Sequence, residues 1–499
     1  MNITAQKDER PSSIKIVGLI LGPVVFFLLM MGTGIQGLSP EGHAAAAVTL
    51  LMAIWWLSEA IPIYATALVP IVLFPLTGVL SAQETTLNYG HELIYLFLGG
   101  FLLSIAVQKW NLHRRIALTI IRLVGFAPSR LILGFMVATG FLSMWISNTA
   151  SAMMMVPIGL AVVTQVAKLA RDLDPELETE PGKFHFGMAL MLGIAYSASI
   201  GGIATIIGSP PNAIFVGYVD RVYDIKISFL QWMYYGLPIS VIGIGLAWIY
   251  LTRIAYPIRI TALEGIGDIV EEGQKALGKM TRPEARVLFV FGLVAGLWIL
   301  RGVLLPYLDA MGLGGFTDTT AAILGALLLF IVPANFGKGQ ALLAWEDVKE
   351  VPWGILILFG GGLALASGIE QSGLAAWLAE GLSGLQGVPG IVVILIIVLV
   401  VIFLTEVTSN TSTATIFVPI VAILATVVGI HPYTLMITVV TAASCAFMLP
   451  IATPPNAVVF ASNYVTMREM MKAGIWLNLA FVILITLVGS FWLEVAWGL

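Results

Sequence analysis

The chain has 499 residues, of which 59% are hydrophobic and only 10% charged, and its mean hydropathy is +0.98. Soluble domains keep about a quarter of their residues charged, so a soluble globular protein is excluded. A formal net charge of −4 is too small to suggest a nucleic-acid partner, and the single cysteine, Cys445, excludes an intramolecular disulfide.

The apolar runs have helix length and do not alternate, so the spans are helices and not barrel strands. Residues 1–15 are polar and carry no cleavable signal pattern, which makes the next run a retained helix. Spans are predicted at 15–32, 43–58, 62–80 and 92–108. Residues 112–124, basic on one side and apolar on the other, predict a helix lying at the membrane surface. Two apolar runs follow, 130–147 and 150–167, divided only by Ser147-Asn148-Thr149. The acidic stretch from Arg171 to Lys183, with Asp174 and Glu176 in it, is a solvated loop. Spans resume at 186–207 and 230–252, and 253–286 is a polar loop between the halves. The second half gives 287–306, 319–334, 352–371, a divided pair 390–408 and 412–430, then 433–451 and 473–497.

Loop charge orients these spans. With Lys7, Arg10 and Lys15 in the cytoplasm, and each divided pair a hairpin that enters and leaves on one side, most basic residues fall inside. Among them are Lys109, Arg114, Arg115, Arg259, Lys275 and Lys338. The outside loops 33–42, 81–91, 307–318 and 372–389 contain no lysine or arginine; only Arg221 and Lys226 fall on the wrong side. Charge alone does not require hairpins, since two full spans would also alternate acceptably. The helix-breaking centre of each pair favours them.

The halves repeat. Asn148 and Asn410 are 262 positions apart (410 − 148), as are Gly99 and Gly361, and Pro157 and Pro419. Ser209-Pro210-Pro211-Asn212-Ala213 recurs as Thr453-Pro454-Pro455-Asn456-Ala457, 244 positions on (453 − 209). The difference is about the size of the acidic loop, present only in the first half. Matched elements in one order, with hairpins opening to opposite sides, predict an inverted repeat of the kind found in secondary transporters.

Pro-Pro cannot continue a helix, so the spans at 186–207 and 433–451 should break inside the membrane. A broken helix offers unpaired carbonyls to a cation at one end and N–H groups to an anion at the other. Ser143, Ser147, Asn148 and the Gly208 carbonyl form one candidate sodium cage; Thr405, Thr408, Asn410 and the Ala452 carbonyl form its mate. A substrate between them meets Asn148, Thr149, Ser209 and Pro210 from one repeat and Asn410, Thr411, Thr453 and Pro454 from the other. An isolated serine, threonine or asparagine in a membrane helix is more often an interhelical hydrogen bond; the pairing favours a site. No basic side chain lies beside either motif, so an anion there needs helix ends and co-bound sodium to balance it. Glu59 and Glu406 read as caps or pairing groups, with proton coupling the second reading, and Arg301 as paired or snorkelling.

These motifs resemble the divalent anion:sodium symporter family, and within it bacterial dicarboxylate transporters of the INDY type. The likeness lies in Trp145-Ile146-Ser147-Asn148-Thr149-Ala150, Gly208-Ser209-Pro210-Pro211-Asn212-Ala213, Thr405-Glu406, Ser409-Asn410-Thr411 and Ala452-Thr453-Pro454-Pro455-Asn456-Ala457. The resemblance implies an all-α polytopic membrane protein of about eleven transmembrane helices with two re-entrant hairpins, assembled as a homodimer. It also implies an elevator: scaffold parts at 1–130 and 287–389, transport parts at 131–252 and 390–499, and a cytoplasmic linker at 253–286. The implied activity is sodium-coupled import of C4 dicarboxylates (succinate, fumarate, malate) across the bacterial inner membrane, with no further cofactor. Alternatives within the family are a sodium-independent dicarboxylate or 2-oxoglutarate exchanger and a citrate or sulfate symporter. The cation and substrate residues named above coincide with the family's sites, except that Thr408 stands where relatives carry a small apolar residue. Outside the family, a channel built on the same broken helices is the competing reading. A membrane enzyme lacks a convergent His/Asp/Glu cluster.

Overall fold

The computed structural model describes residues 13–32, 35–173, 178–258, 266–335 and 339–498. Lys7, Arg10, Asp174, Glu176, Arg259 and Lys338 therefore lie outside the described residues. The chain folds into two compact units: Met1–Gly90 with Ile357–Gly384, and His91–Leu356 with Leu385–Leu499.

In the first unit, α1 (Ser13–Met31) packs along α2 (Pro40–Ser58). Ser39 caps α2, its Oγ accepting from the Gly42 N–H at 2.9 Å and donating to the Ser372 carbonyl at 2.9 Å. Glu59 then takes a left-handed conformation, φ 47°, which ends the helix. The span expected at 62–80 is divided here into α3 (Ile63–Thr66) and α4 (Val69–Thr77). Pro70, with no N–H to give, suits the start of a new helix and not the interior of an old one. A capping box of Ser81 and Glu84 opens α5 (Ala82–Leu87).

The second unit begins with α6 (Glu92–Lys109) and α7 (Leu112–Val124). α7 has the expected one-sidedness, with Leu112, Ala117, Leu118 and Ile121 buried. There follow α8 (Pro128–Ser143), α9 (Asn148–Leu173), α10 (His185–Gly202), α11 (Pro210–Tyr223) and α12 (Phe229–Ile249). The section 253–286, read as a loop, contains α13 (Ile266–Leu277), which packs against α7. Its apolar residues alternate with Asp268, Glu271 and Glu272, so its hydropathy never rises to that of a span. Arg115 ties α7 to the chain after α13, reaching Glu284 at 3.1 Å and the Gly278 carbonyl at 3.0 Å. Glu284 lies in the first turn of α14 (Arg282–Ala310), and α15 (Asp318–Ile331) follows. Most of α16 (Trp353–Gln371) and all of α17 (Leu374–Gly381) belong to the first unit. The chain closes the second unit with α18 (Gly390–Thr405), α19 (Asn410–Val428), α20 (Pro432–Ala443), α21 (Pro454–Phe460), α22 (Met467–Leu487) and α23 (Leu493–Trp497).

Among the described residues, eight helices are long and apolar enough to cross a bilayer. Five shorter apolar helices accompany them, and these include the limbs α8 and α18 and the half-helix α20. The architecture is all-α and polytopic, and the repeat is visible in its packing. α8 and α9 lie against α10, and α18 and α19 lie against α20. The second halves of the broken helices cross over: α11 packs on α19, and α21 on α9. Each repeat thus covers the hairpin of the other.

Candidate cation and substrate site

Helix α8 stops at Ser143 and α9 starts at Asn148, so Met144–Ser147 form a turn between two apolar helices. Trp145 anchors it, its ring stacked 5.9 Å from Phe229 and 6.4 Å from Trp298, with Phe291 edge-on at 5.1 Å. Ser143, fully buried, points its Oγ to 2.6 Å from Asn148 Oδ1 and 2.6 Å from the Ala198 carbonyl. Asn148 Oδ1 also lies 3.1 Å from the Ala198 carbonyl and 3.2 Å from the Gly208 carbonyl. In this orientation the amide oxygen of Asn148 faces acceptors, with the serine hydroxyl as its donor. With the amide nitrogen turned in, Asn148 would donate to all three neighbours. With its oxygen turned in, it completes a set of acceptors suited to a hard cation. Gly202 makes room for it: a Cβ there would meet Asn148 Oδ1 at 2.5 Å and the Gly208 carbonyl at 3.0 Å.

The second turn repeats the arrangement. Thr405 Oγ1 lies 2.7 Å from Asn410 Oδ1 and 3.1 Å from the Ala443 carbonyl, again one proton for two acceptors. Behind each turn, the proline-motif asparagine spans the unwound segment. Asn212 Nδ2 donates to the carbonyls of Gly202 and Thr205 at 2.9 and 2.8 Å. Asn456 Nδ2 donates to those of Ala446 and Leu449 at 3.1 and 3.0 Å. All three pairs of positions differ by 244, so the repeat extends to individual hydrogen bonds.

Of the expected cation residues, Ser143, Asn148 and Gly208 come together in one cluster and Thr405 with Asn410 in the other. Ser147 Oγ instead accepts from the Ala150 N–H at 3.2 Å. Thr408 Oγ1 turns to the Leu404 carbonyl at 2.9 Å and to Thr413 Oγ1 at 2.7 Å. Ala452 is buried near the start of α21, but the carbonyl that Thr405 reaches is that of Ala443. Sequence reading missed the carbonyls of Ala198 and Ala443. The nearest signal was their position, twelve and eleven residues ahead of Pro210 and Pro454, one register step apart.

The profile of the family described as sodium:sulfate symporter transmembrane region matches residues 13–498. The chain belongs to this family. Two relatives are sodium-dependent dicarboxylate transporters named SdcS, from Staphylococcus aureus strains bovine RF122 / ET3-1 and USA300. Each is 45% identical over 495 residues, covering 99% of this chain and 94% of the relative. Among solved structures, the YdaH transporter of Alcanivorax borkumensis matches at a TM-score of 0.53 and 14% identity, over 97% of both chains. That likeness concerns the fold alone.

In this symporter-family chain the expected substrate residues sit at the two turns and the two breaks. Asn148 and Asn410 are half-buried, as are Thr149 and Thr411. Among the described residues, neither threonine hydroxyl has a hydrogen-bond partner. Ser209 Oγ lies 3.3 Å from Ser444 Oγ, a contact between the repeats at the centre of the unit. Thr453 caps α21 by accepting from the Asn456 N–H at 3.3 Å. Pro210 and Pro454 are the first residues of α11 and α21; the two leading prolines of each helix carry no N–H, and the next N–H is taken by the Ser209 carbonyl in one and the Thr453 hydroxyl in the other. Three of the charges singled out in the sequence are paired. Arg301 pairs with Asp318 at 3.2 Å, Glu59 with Lys15 at 3.6 Å, and the wrongly sided Lys226 with Glu92 at 2.8 Å.

Proposed function

We propose that this protein is a sodium-coupled secondary transporter that carries C4 dicarboxylates across the bacterial inner membrane. The observation that supports it best is the pair of oxygen clusters at Asn148 and Asn410. Each gathers a hydroxyl and helix-end carbonyls around one side-chain amide, and no basic side chain lies in either motif. A dianion beside them is balanced by helix N–H ends and by sodium held in the clusters, and that requirement couples the two fluxes. Sequence identity to SdcS favours dicarboxylates over the sulfate of the family description. Ser143, Asn148, Ala198 and Gly208 hold one sodium; Thr405, Asn410 and Ala443 hold the other, with Ser147, Thr408 and Ala452 lining them. Asn148, Thr149, Ser209, Pro210, Asn410, Thr411, Thr453 and Pro454 face the substrate.

The N-terminus is cytoplasmic and the protein works as a homodimer. Residues 131–252 and 390–499 move as transport parts against scaffold parts 1–130 and 287–389, linked through 253–286.

Purified protein in liposomes should take up radiolabelled succinate only under an inward sodium gradient. Unlabelled succinate, fumarate and malate should compete, whereas sulfate and citrate should not. Equal uptake in sodium-free buffer, through counterflow, would sink the symport reading in favour of exchange. Asn148→Ala and Asn410→Ala should each abolish sodium-driven uptake while the protein still elutes as a dimer; normal uptake in either would remove that asparagine from the site.

A further inference from the structure

Three carboxylates are buried among the described residues: Glu284, Asp318 and Glu406. Glu284 pairs with Arg115 and Asp318 with Arg301. Glu406, 3% exposed, has no ion pair among the described residues. Four hydrogen bonds hold it instead. Its Oε1 accepts from the N–H groups of Phe447 and Met448 at 2.8 and 2.9 Å and from Asn478 Nδ2 at 2.7 Å. Its Oε2 accepts from the Leu449 N–H at 3.0 Å.

The other repeat does the same job without a charge. The residues matching Phe447 and Met448 are Ile203 and Ala204, 244 positions earlier. Their N–H groups close ordinary turns, onto the carbonyls of Ile200 at 3.2 Å and Gly201 at 3.0 Å. The position matching Glu406, 262 earlier, is Met144. Both unwound segments are held on their carbonyl side by an asparagine, Asn212 or Asn456; on the N–H side the one after α20 is gripped by a carboxylate, while Ile203 and Ala204 in the other close onto nearby carbonyls of their own chain. Glu406 also directly follows Thr405, whose hydroxyl belongs to the Asn410 cluster.

A carboxylate held away from water by N–H dipoles alone is only partly compensated, and a cation nearby supplies the remainder. We propose that Glu406 is a positioning and charge-balancing residue for the cation at Asn410. It fixes the shape of the second cage and gives it a negative charge that the Asn148 cage lacks. The two cages therefore bind sodium unequally, the Asn410 cage more tightly. The inference rests on the reading of the two clusters as sodium cages.

Sodium-dependent thermal stabilisation of the detergent-solubilised full-length protein, with potassium as control, separates the cages without requiring transport. In Asn148→Ala the remaining sodium effect reports on the Asn410 cage; in Asn410→Ala it reports on the other. Adding E406Q to the first should raise the sodium half-saturation about tenfold or more, equivalent to about 1.4 kcal/mol. Adding it to the second should leave half-saturation within about twofold, a change below ~0.5 kcal/mol. In uptake, E406Q alone should raise the sodium half-saturation and leave the succinate KM at saturating sodium within about threefold, or ~0.7 kcal/mol. Equal shifts in both backgrounds, or none in either, would reduce Glu406 to a helix cap and overturn the proposal. Full sodium stabilisation in both alanine variants would instead overturn the cages themselves. Should E406Q not fold, E406D and E406A decide: a sodium half-saturation in E406D closer to wild type than in E406A supports the charge, and equal half-saturations in the two refute it.

Discussion

Gly201 and Gly202 are adjacent, yet their substitution should have different consequences. A Cβ on Gly201 would lie 2.3 Å from the Gly140 carbonyl oxygen and 2.5 Å from the Gly140 Cα, atoms of a neighbouring backbone that cannot step aside. Gly201→Ala should therefore lower the melting temperature and the yield of folded protein. A Cβ on Gly202 meets the Asn148 side chain, which can rotate away, but only by leaving the oxygen cluster. Gly202→Ala should fold and raise the sodium half-saturation of uptake by at least about tenfold, roughly the loss of one ligand contact of ~1.4 kcal/mol. A folded Gly202→Ala protein with wild-type sodium dependence would refute the cage at Asn148. The Ser-Asn-Thr motif stands out in the sequence because small polar groups are rare in hydrocarbon. The carbonyls of Ala198 and Ala443 do not, because every residue has a carbonyl and only the folded backbone decides which one is left free to point at a neighbour.

At the scale of elements, the broken helices depend on Asn212 and Asn456. Each amide donates to two carbonyls at its break; those of Thr205 and Leu449 also accept from the Gly208 and Ala452 N–H groups, whereas those of Gly202 and Ala446 depend on the asparagine. Removing either amide should strand one buried acceptor at about 1–3 kcal/mol. Asn212→Ala and Asn456→Ala should thus lower thermal stability measurably in both repeats, and similar loss in the two would reflect their matched geometry. An unchanged melting curve in either would show that water or a shifted backbone replaces the amide. That both spans break was legible from Pro-Pro, but where they break was not: α10 ends at Gly202 and α20 at Ala443, well ahead of the prolines, which open the second halves instead. The helix α13 was not, because charge interrupts its apolar stripe and a hydropathy reading sees only a polar segment. The divided span α3–α4 was missed for the opposite reason: its composition is apolar, and of its prolines Pro70 opens α4 while Pro75 lies inside it, so proline alone does not locate the interruption.

For the whole molecule, the proposed elevator predicts relative motion between α6, in the scaffold part, and α11 with the loop after it, in the transport part. In the structure His91 lies 3.4 Å from Asp220, and Lys226 Nζ 2.8 Å from Glu92. These contacts join the two parts and must separate if one slides past the other. A double variant Glu92→Cys and Lys226→Cys, bridged by a short bis-maleimide, should lose uptake and keep sodium-dependent thermal stabilisation. The native Cys445 is buried and leaves the reagent to the introduced pair. Undiminished uptake after complete cross-linking would rule out this motion.

By itself the sequence determined the membrane class, the helical spans, the two repeats and the asparagines at their centres. Each of these follows from composition, run length or a residue type whose local chemistry permits little else. Only the tertiary structure decided which oxygens gather around Asn148 and Asn410, that α11 packs on α19 and α21 on α9, and that Glu406 grips the segment after α20. Such contacts join residues far apart in the chain, and a sequence records its own local preferences but not the partner a distant backbone will offer.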